Sequence, residues 1–123
     1  MRSDRLVGLS EARLVEEFAA LARQAGSAVL DSESGDANRA IRGMWDIGGV
    51  LRSRGHEARL SLVALLDDKD RSVRYYAAQA LLGLVPQRAR AEIEWNTKYW
   101  FDAIAGDARG LLRAFDSGEY KPD

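Results

Sequence analysis

The chain has 123 residues, 46% of them hydrophobic and 30% charged, with a formal net charge of −1. This length and balance fit one folded domain with a modest core and exclude a disordered or collagen-like chain. Near-zero charge disfavours a general nucleic-acid binder, which carries a marked basic excess, and the absence of cysteine excludes disulfides and thiolate metal centres.

Apolar residues recur at helical spacing along the whole sequence, and only two prolines interrupt it. Ser10 is placed to cap a first helix, with Leu9 and Leu14 positioned as a hydrophobic staple across the cap. That helix continues through Phe18, Leu21, Ala25 and Val29 to about Leu30, with Gly26 as a weak spot. The polar segment 31–36 reads as a turn. A second helix is expected over about 37–54, with Ala37, Ile41, Met44, Ile47 and Leu51 inward, joined by Trp45 and Val50. Gly43, Gly48 and Gly49 would each cost up to ~1 kcal/mol in a helix interior, so a neighbouring helix is expected to pass close there. Gly55 is suited to end this helix and His56 to begin a short third one, to about Leu66. Asp70 is expected to cap a fourth helix running to about Leu84. Pro86 suits the first turn of a fifth, which should reach the Trp95 region. Asp107 is expected to cap a last helix over 108–116, closed by Gly118.

Six helices with short connections imply three helical hairpins, at about 10–55, 56–84 and 86–117, since neighbours joined by short loops pack side by side. The domain organisation expected is an N-terminal extension 1–9, one helical domain 10–118 and a tail 119–123.

No constellation in the chain points to a specific chemistry. His56 is the only histidine and has no nucleophile-elbow pattern beside it. The turn Asp67-Asp68-Lys69-Asp70 lacks the glycine and distal glutamate of a calcium loop. Glu16, Glu17, Asp46, Glu92 and Glu94 show no facing pair, and most of them read as a solvated face. Gly43 with Gly48-Gly49 lacks the spacing and the preceding strand of a phosphate-binding loop. No catalytic residue, metal or cofactor is therefore expected. Arginines 39, 42, 52, 54, 59, 71, 74, 88 and 90 could follow a phosphate backbone only if several converged on one groove. Trp95, Tyr99 and Trp100 share a neighbourhood at helical spacing. They either close the core over the last hairpin or anchor a partner, because Trp, Tyr and Arg dominate interface energetics.

The stretch Leu62–Leu84 resembles a HEAT repeat: Asp67 or Asp68 in the turn, Asp70, Val73-Arg74, Ala77-Ala78 and Ala80-Leu81 fall where that repeat has them. The resemblance implies that Arg74 reaches an aspartate of a neighbouring turn and that the alanine pair lets helices approach. Leu14-Val15-Glu16-Glu17-Phe18, Arg54-Gly55, Val73-Arg74 and Ala105-Gly106-Asp107-Ala108 together resemble a family of short bacterial proteins of unknown function with HEAT-like architecture. The fold this implies is an all-α superhelix of three HEAT-like hairpins, and no established activity comes with it.

Such stacks make surfaces for partners more often than active sites. The function expected is a non-enzymatic protein-interaction module, with Arg71, Tyr75, Trp95, Tyr99 and Trp100 as its candidate contact residues. An immunity or inhibitor protein that masks a toxin is a narrower form of this reading, and a nucleic-acid-binding protein is the alternative from another class. A homodimer is a further expectation, since short solenoids expose apolar ends. No apolar run reaches the ~18 residues that span a bilayer. The segment 1–14 carries Asp4 and Glu11 and has no long apolar core. A cytoplasmic location without membrane contact is therefore expected.

Overall fold

The computed structural model describes residues 2–31 and 33–122; Met1 of the N-terminal extension, Ser32 of the turn 31–36 and Asp123 of the tail lie outside them. Among the described residues the chain is all-helical. The elements are α1 (Arg2–Val7), α2 (Glu11–Leu30), α3 (Ser34–Arg54), α4 (His56–Leu60) running on as a 3-10 turn (Ser61–Asp67), α5 (Arg71–Leu81), α6 (Pro86–Tyr99) and α7 (Ala103–Ser117). Among these described elements, no helix is long and apolar enough to cross a membrane.

Most boundaries follow from the caps. The Ser10 hydroxyl accepts from the Arg13 N–H at 3.1 Å, and the Asp70 carboxylate accepts from Ser72 and Val73 N–H at 2.7 and 3.2 Å. Each such cap satisfies donors that the first helical turn leaves open. Pro86 occupies the start of α6, and Gly118 ends α7 in the left-handed region at φ 81°. Gly55 separates α3 from α4 at φ 113°, ψ 177°, a backbone region open essentially to glycine alone.

Several expectations are corrected. The last helix begins at Ala103, five positions before the expected Ala108. Its cap is Asp102, which accepts from the Ala105 N–H at 3.0 Å, so Asp107 lies within the helix. Starting there carries Ile104 and Ala105 into the core. The fifth helix continues past Trp95 to Tyr99, and the fourth stops at Leu81, short of Leu84. The third element is α-helical only to Leu60. Beyond it, Leu62 and Leu65 are both buried at a spacing of three, which eclipses on one face of a 3-10 turn. The N-terminal extension contains α1, whose Leu6 is buried in the common core.

α2 packs along α3, and α5 touches α2, the 3-10 turn and α6, while α7 lies against α6 and α2. One core runs through all of them, with Leu14, Ile47, Leu51, Leu81, Ile93 and Ile104 completely buried. Burying each such side chain contributes roughly 2 kcal/mol before chain entropy is counted. Gly26 is a point of closest approach, because a Cβ there would overlap the Ser72 side chain on α5. Gly43 also faces a neighbour, Leu21, 2.8 Å from where its Cβ would stand. Gly48 and Gly49 meet nothing within 4 Å, so close packing does not account for them. Trp45, expected on the inner face of α3, is 69% exposed.

Candidate functional site

The candidate contact residues gather where α5, α6 and α7 meet, but in two layers. Arg71, in the first turn of α5, donates through Nε to Asn96 Oδ1 at 2.6 Å and through its two Nη atoms to the Asp102 carboxylate, the Nη2 bond being 2.8 Å. Its guanidinium also lies over the Trp100 ring at 4.3 Å. Asn96 is fully buried and its Nδ2 donates to the Glu92 carbonyl at 2.9 Å. Arg71 beside it holds the Asp102 carboxyl down to about 2. One cation therefore fixes the cap of α7, the interior of α6 and the indole between them. With its donors so engaged, Arg71 supports the surface rather than presenting itself there.

Tyr75 is corrected outright. Its side chain is completely buried, with its ring edge-on to Tyr76 at 5.2 Å, and its hydroxyl donates to the Asp107 carboxylate. Burial, and then the nearby Asp107 charge, push its phenol far above the ordinary range, so it is a neutral donor in the core. Position 75 sits between Ser72 and Ala78 on the buried face of α5, and so cannot point outward with Val73 and Ala77 also buried.

The rings that remain form a ledge. Trp95 lies 5.9 Å from Tyr99 and 6.2 Å from Trp100, centroid to centroid. Tyr99 is 64% exposed, Trp100 41% and Phe101 89%. Phe101 was not among the expected contacts. Its signal in the sequence is a bulky ring between the end of one helical period and the Asp102 cap, where no core position awaits it.

Arg74 departs from the expectation attached to the repeat pattern. It donates to the backbone carbonyls of Asp68 and Lys69 in its own turn, at 2.8 and 2.9 Å, and pairs with Glu92 at 3.4 Å. It also lies over the Trp95 ring at 5.4 Å. Burial raises the Glu92 carboxyl even with Arg74 beside it, so this residue is not part of a solvated face. Asp67 pairs with Arg88 at 2.7 Å, and Asp68 with Arg23 at 3.8 Å. Val73, Ala77 and Ala78 are completely buried, in the packing role expected of them.

Six of the nine candidate arginines are engaged within the fold. Arg39, Arg71, Arg74, Arg88 and Arg90 each pair with a carboxylate, and Arg54 donates to the carbonyls of Val7 and Leu9. Among the described residues no cluster of His, Cys, Asp and Glu could hold a metal ion.

A second feature escaped the sequence reading. A groove with a cavity volume of about 480 Å³ opens between α3, α5 and α7, with Trp45 and Tyr120 among its walls and Arg52 and Arg59 at the α3–α4 corner. Its walls come from elements far apart in sequence, which no local period reveals.

With this geometry in view, the comparisons with known proteins are specific about kinship. The profile of a family described as domain of unknown function DUF2019 matches residues 12–116. Among solved structures the chain is similar to the crystal structure of the protein RPA1889 from Rhodopseudomonas palustris CGA009. The two are 30% identical, with 96% of this chain and 98% of that chain covered and a TM-score of 0.85. No curated protein matches the chain.

Proposed function

We propose that this chain, which belongs to the family described as domain of unknown function DUF2019, is a non-enzymatic protein-interaction module whose contact surface is the aromatic ledge. The observation that carries this reading is the run Tyr99-Trp100-Phe101, exposed at the end of α6 and on the connector to α7 while the cation beneath it is fixed by Asn96 and Asp102. Adjacent exposed rings are a standing solvation cost unless a partner covers them. Rings held rigid before binding lose little conformational freedom on contact, which is what makes aromatic anchors effective.

The finer architecture is read as a short HEAT-like superhelix. Its support is that α2 with α3, the 3-10 turn with α5, and α6 with α7 are chain neighbours in contact, in line with hairpins at about 10–55, 56–84 and 86–117. Further support is the buried Val73 and Ala77-Ala78 beside the Asp70 cap.

The test is comparative capture. Tagged wild-type protein and a Tyr99→Ser, Phe101→Ser double variant are exposed to the same native lysate after nuclease treatment. A protein retained by the wild type and lost with the double variant is expected. Equal retention by both removes the ledge as the contact surface, and retention abolished by nuclease favours nucleic acid instead. If the retained protein is a toxin, neutralisation by the wild type alone would narrow the role to immunity. Light scattering in parallel decides whether the partner is a second copy.

A further inference from the structure

Tyr75 and Tyr76 are adjacent, nearly equally buried, and differently satisfied. The Tyr75 hydroxyl donates to Asp107. The Tyr76 side chain is 6% exposed, and its hydroxyl has no hydrogen-bond partner among the described residues. Every fully enclosed polar side-chain atom in the described structure has a partner, so the Tyr76 hydroxyl is not fully enclosed, and Tyr76 is one of the walls of the groove. Burial, with Asp107 nearby, holds its phenol up to about 12, which keeps an O–H available for donation at neutral pH.

The rest of the lining has a consistent sign. The body of the groove is aliphatic and aromatic, with Met44, Leu62, Leu81, Leu84 and Leu111 among its walls. Its charged groups among the described residues are Arg52 and Arg59, and none of the described Asp or Glu residues lines it, in a chain where acidic residues slightly outnumber basic ones. Arg52 and Arg59 each already have an interaction, and a guanidinium, with five N–H donors, can serve more than one acceptor. A volume of about 480 Å³ lies within the range of small-molecule sites, roughly 300–1,000 Å³.

We propose that this groove binds a fatty-acid-type carboxylate, its alkyl chain against the aliphatic walls and its head group taken by the arginine corner and the Tyr76 hydroxyl. The site is independent of the ledge, with which it shares no lining residue. Two recognition terms are involved. Burial of the chain scales with its length, and the charge-assisted hydrogen bonds select a negative head.

The experiment is titration calorimetry on the full chain with octanoate, dodecanoate and dodecyltrimethylammonium, each below its micellar concentration. Dodecanoate is expected to bind once per chain and more tightly than octanoate, and the cationic amphiphile at least about tenfold more weakly. Ala80→Trp introduces an indole at an exposed position of the lining and is expected to abolish binding while circular dichroism and the melting midpoint are kept. Arg52→Gln with Arg59→Gln is expected to erase the preference for the anion, and Tyr76→Phe to weaken dodecanoate several-fold with octanoate still weaker. Absence of dodecanoate binding overturns the proposal. So does equal affinity for the cation, or binding that survives Ala80→Trp.

Discussion

α2 and α3 bury small side chains, Ala19, Ala22, Ala25 and Ala40, and each carries a glycine at a close approach, Gly26 against Ser72 of α5 and Gly43 against Leu21 of α2. Their arginines Arg13 and Arg39 lie on the surface and pair with carboxylates of their own helix. Across α5, α6 and α7 the arrangement is reversed. Arg71, Arg74 and Glu92 are mostly covered, with side-chain exposures of 14, 19 and 17%, and they link one helix to the next. The first region specifies its packing by leaving atoms out, the second by covering charged atoms that groups on the next helix must answer. The first should therefore be most sensitive to added volume and the second to removed groups.

Gly26→Val gives the largest expected effect. The new side chain collides with the Ser72 side chain at the start of α5, where the backbone is fixed by the Asp70 cap. A loss of about 3 kcal/mol is expected by urea unfolding, the upper part of the overpacking range. Arg71→Met comes next, at about 2 kcal/mol, because it strands the buried Asn96 oxygen and the Asp102 carboxylate together. If Arg71→Met costs more than Gly26→Val, the contrast between the regions fails.

Protons can break the same contact without a mutation. The Asp102 carboxyl sits at about 2 in the folded chain against an ordinary 3.8. Its stabilisation is complete above the ordinary value and is lost as pH falls through the folded value. Stability is expected to drop by on the order of 2 kcal/mol between about pH 4 and pH 2 from this group. Glu92 has the opposite sign. Its folded value is raised, so protonating it relieves a burial cost before the Asp102 loss sets in. Unfolding midpoints measured across this range should fall less steeply in Asp102→Asn, which keeps a capping side chain and loses the titration. The smallest effect belongs to Gly49→Ala, which meets nothing within 4 Å and is expected to stabilise α3 by up to about 1 kcal/mol. A destabilised Gly49→Ala would show that small residues are required along all of α3 and not only where it meets α2.

Much of this was legible where the signal is local. Ser10, Asp70, Pro86 and Gly118 mark their helix ends because caps act on backbone groups a few residues away. Asp107 reads as a cap locally, and the true cap, Asp102, is held by Arg71, 31 residues away, which no local pattern shows. Tyr75 misled for a similar reason: its polar hydroxyl suggests a surface, and the carboxylate that lets it be buried lies on another helix. Trp45 was assigned inward on size and period, yet it stands at the rim of a groove that exists only once α3, α5 and α7 are assembled. The resemblance to a bacterial family of unknown function, which spans about residues 10 to 118, agrees in its coarse form with the profile over 12–116, although it carries no information about either surface.

The clamp made by Arg54 has a temporal consequence. This guanidinium, at the end of α3, donates to the carbonyl of Val7 at 2.8 Å and to that of Leu9, across separations of 47 and 45 residues. Closing a free loop of that size would cost about 3 kcal/mol of chain entropy, and the pairing of α2 with α3 already brings its ends together. α1, six residues long and held by this clamp, by Leu6 and by the Arg5–Glu17 pair, is therefore expected to exchange its amide hydrogens ahead of the core helices in native-state hydrogen exchange.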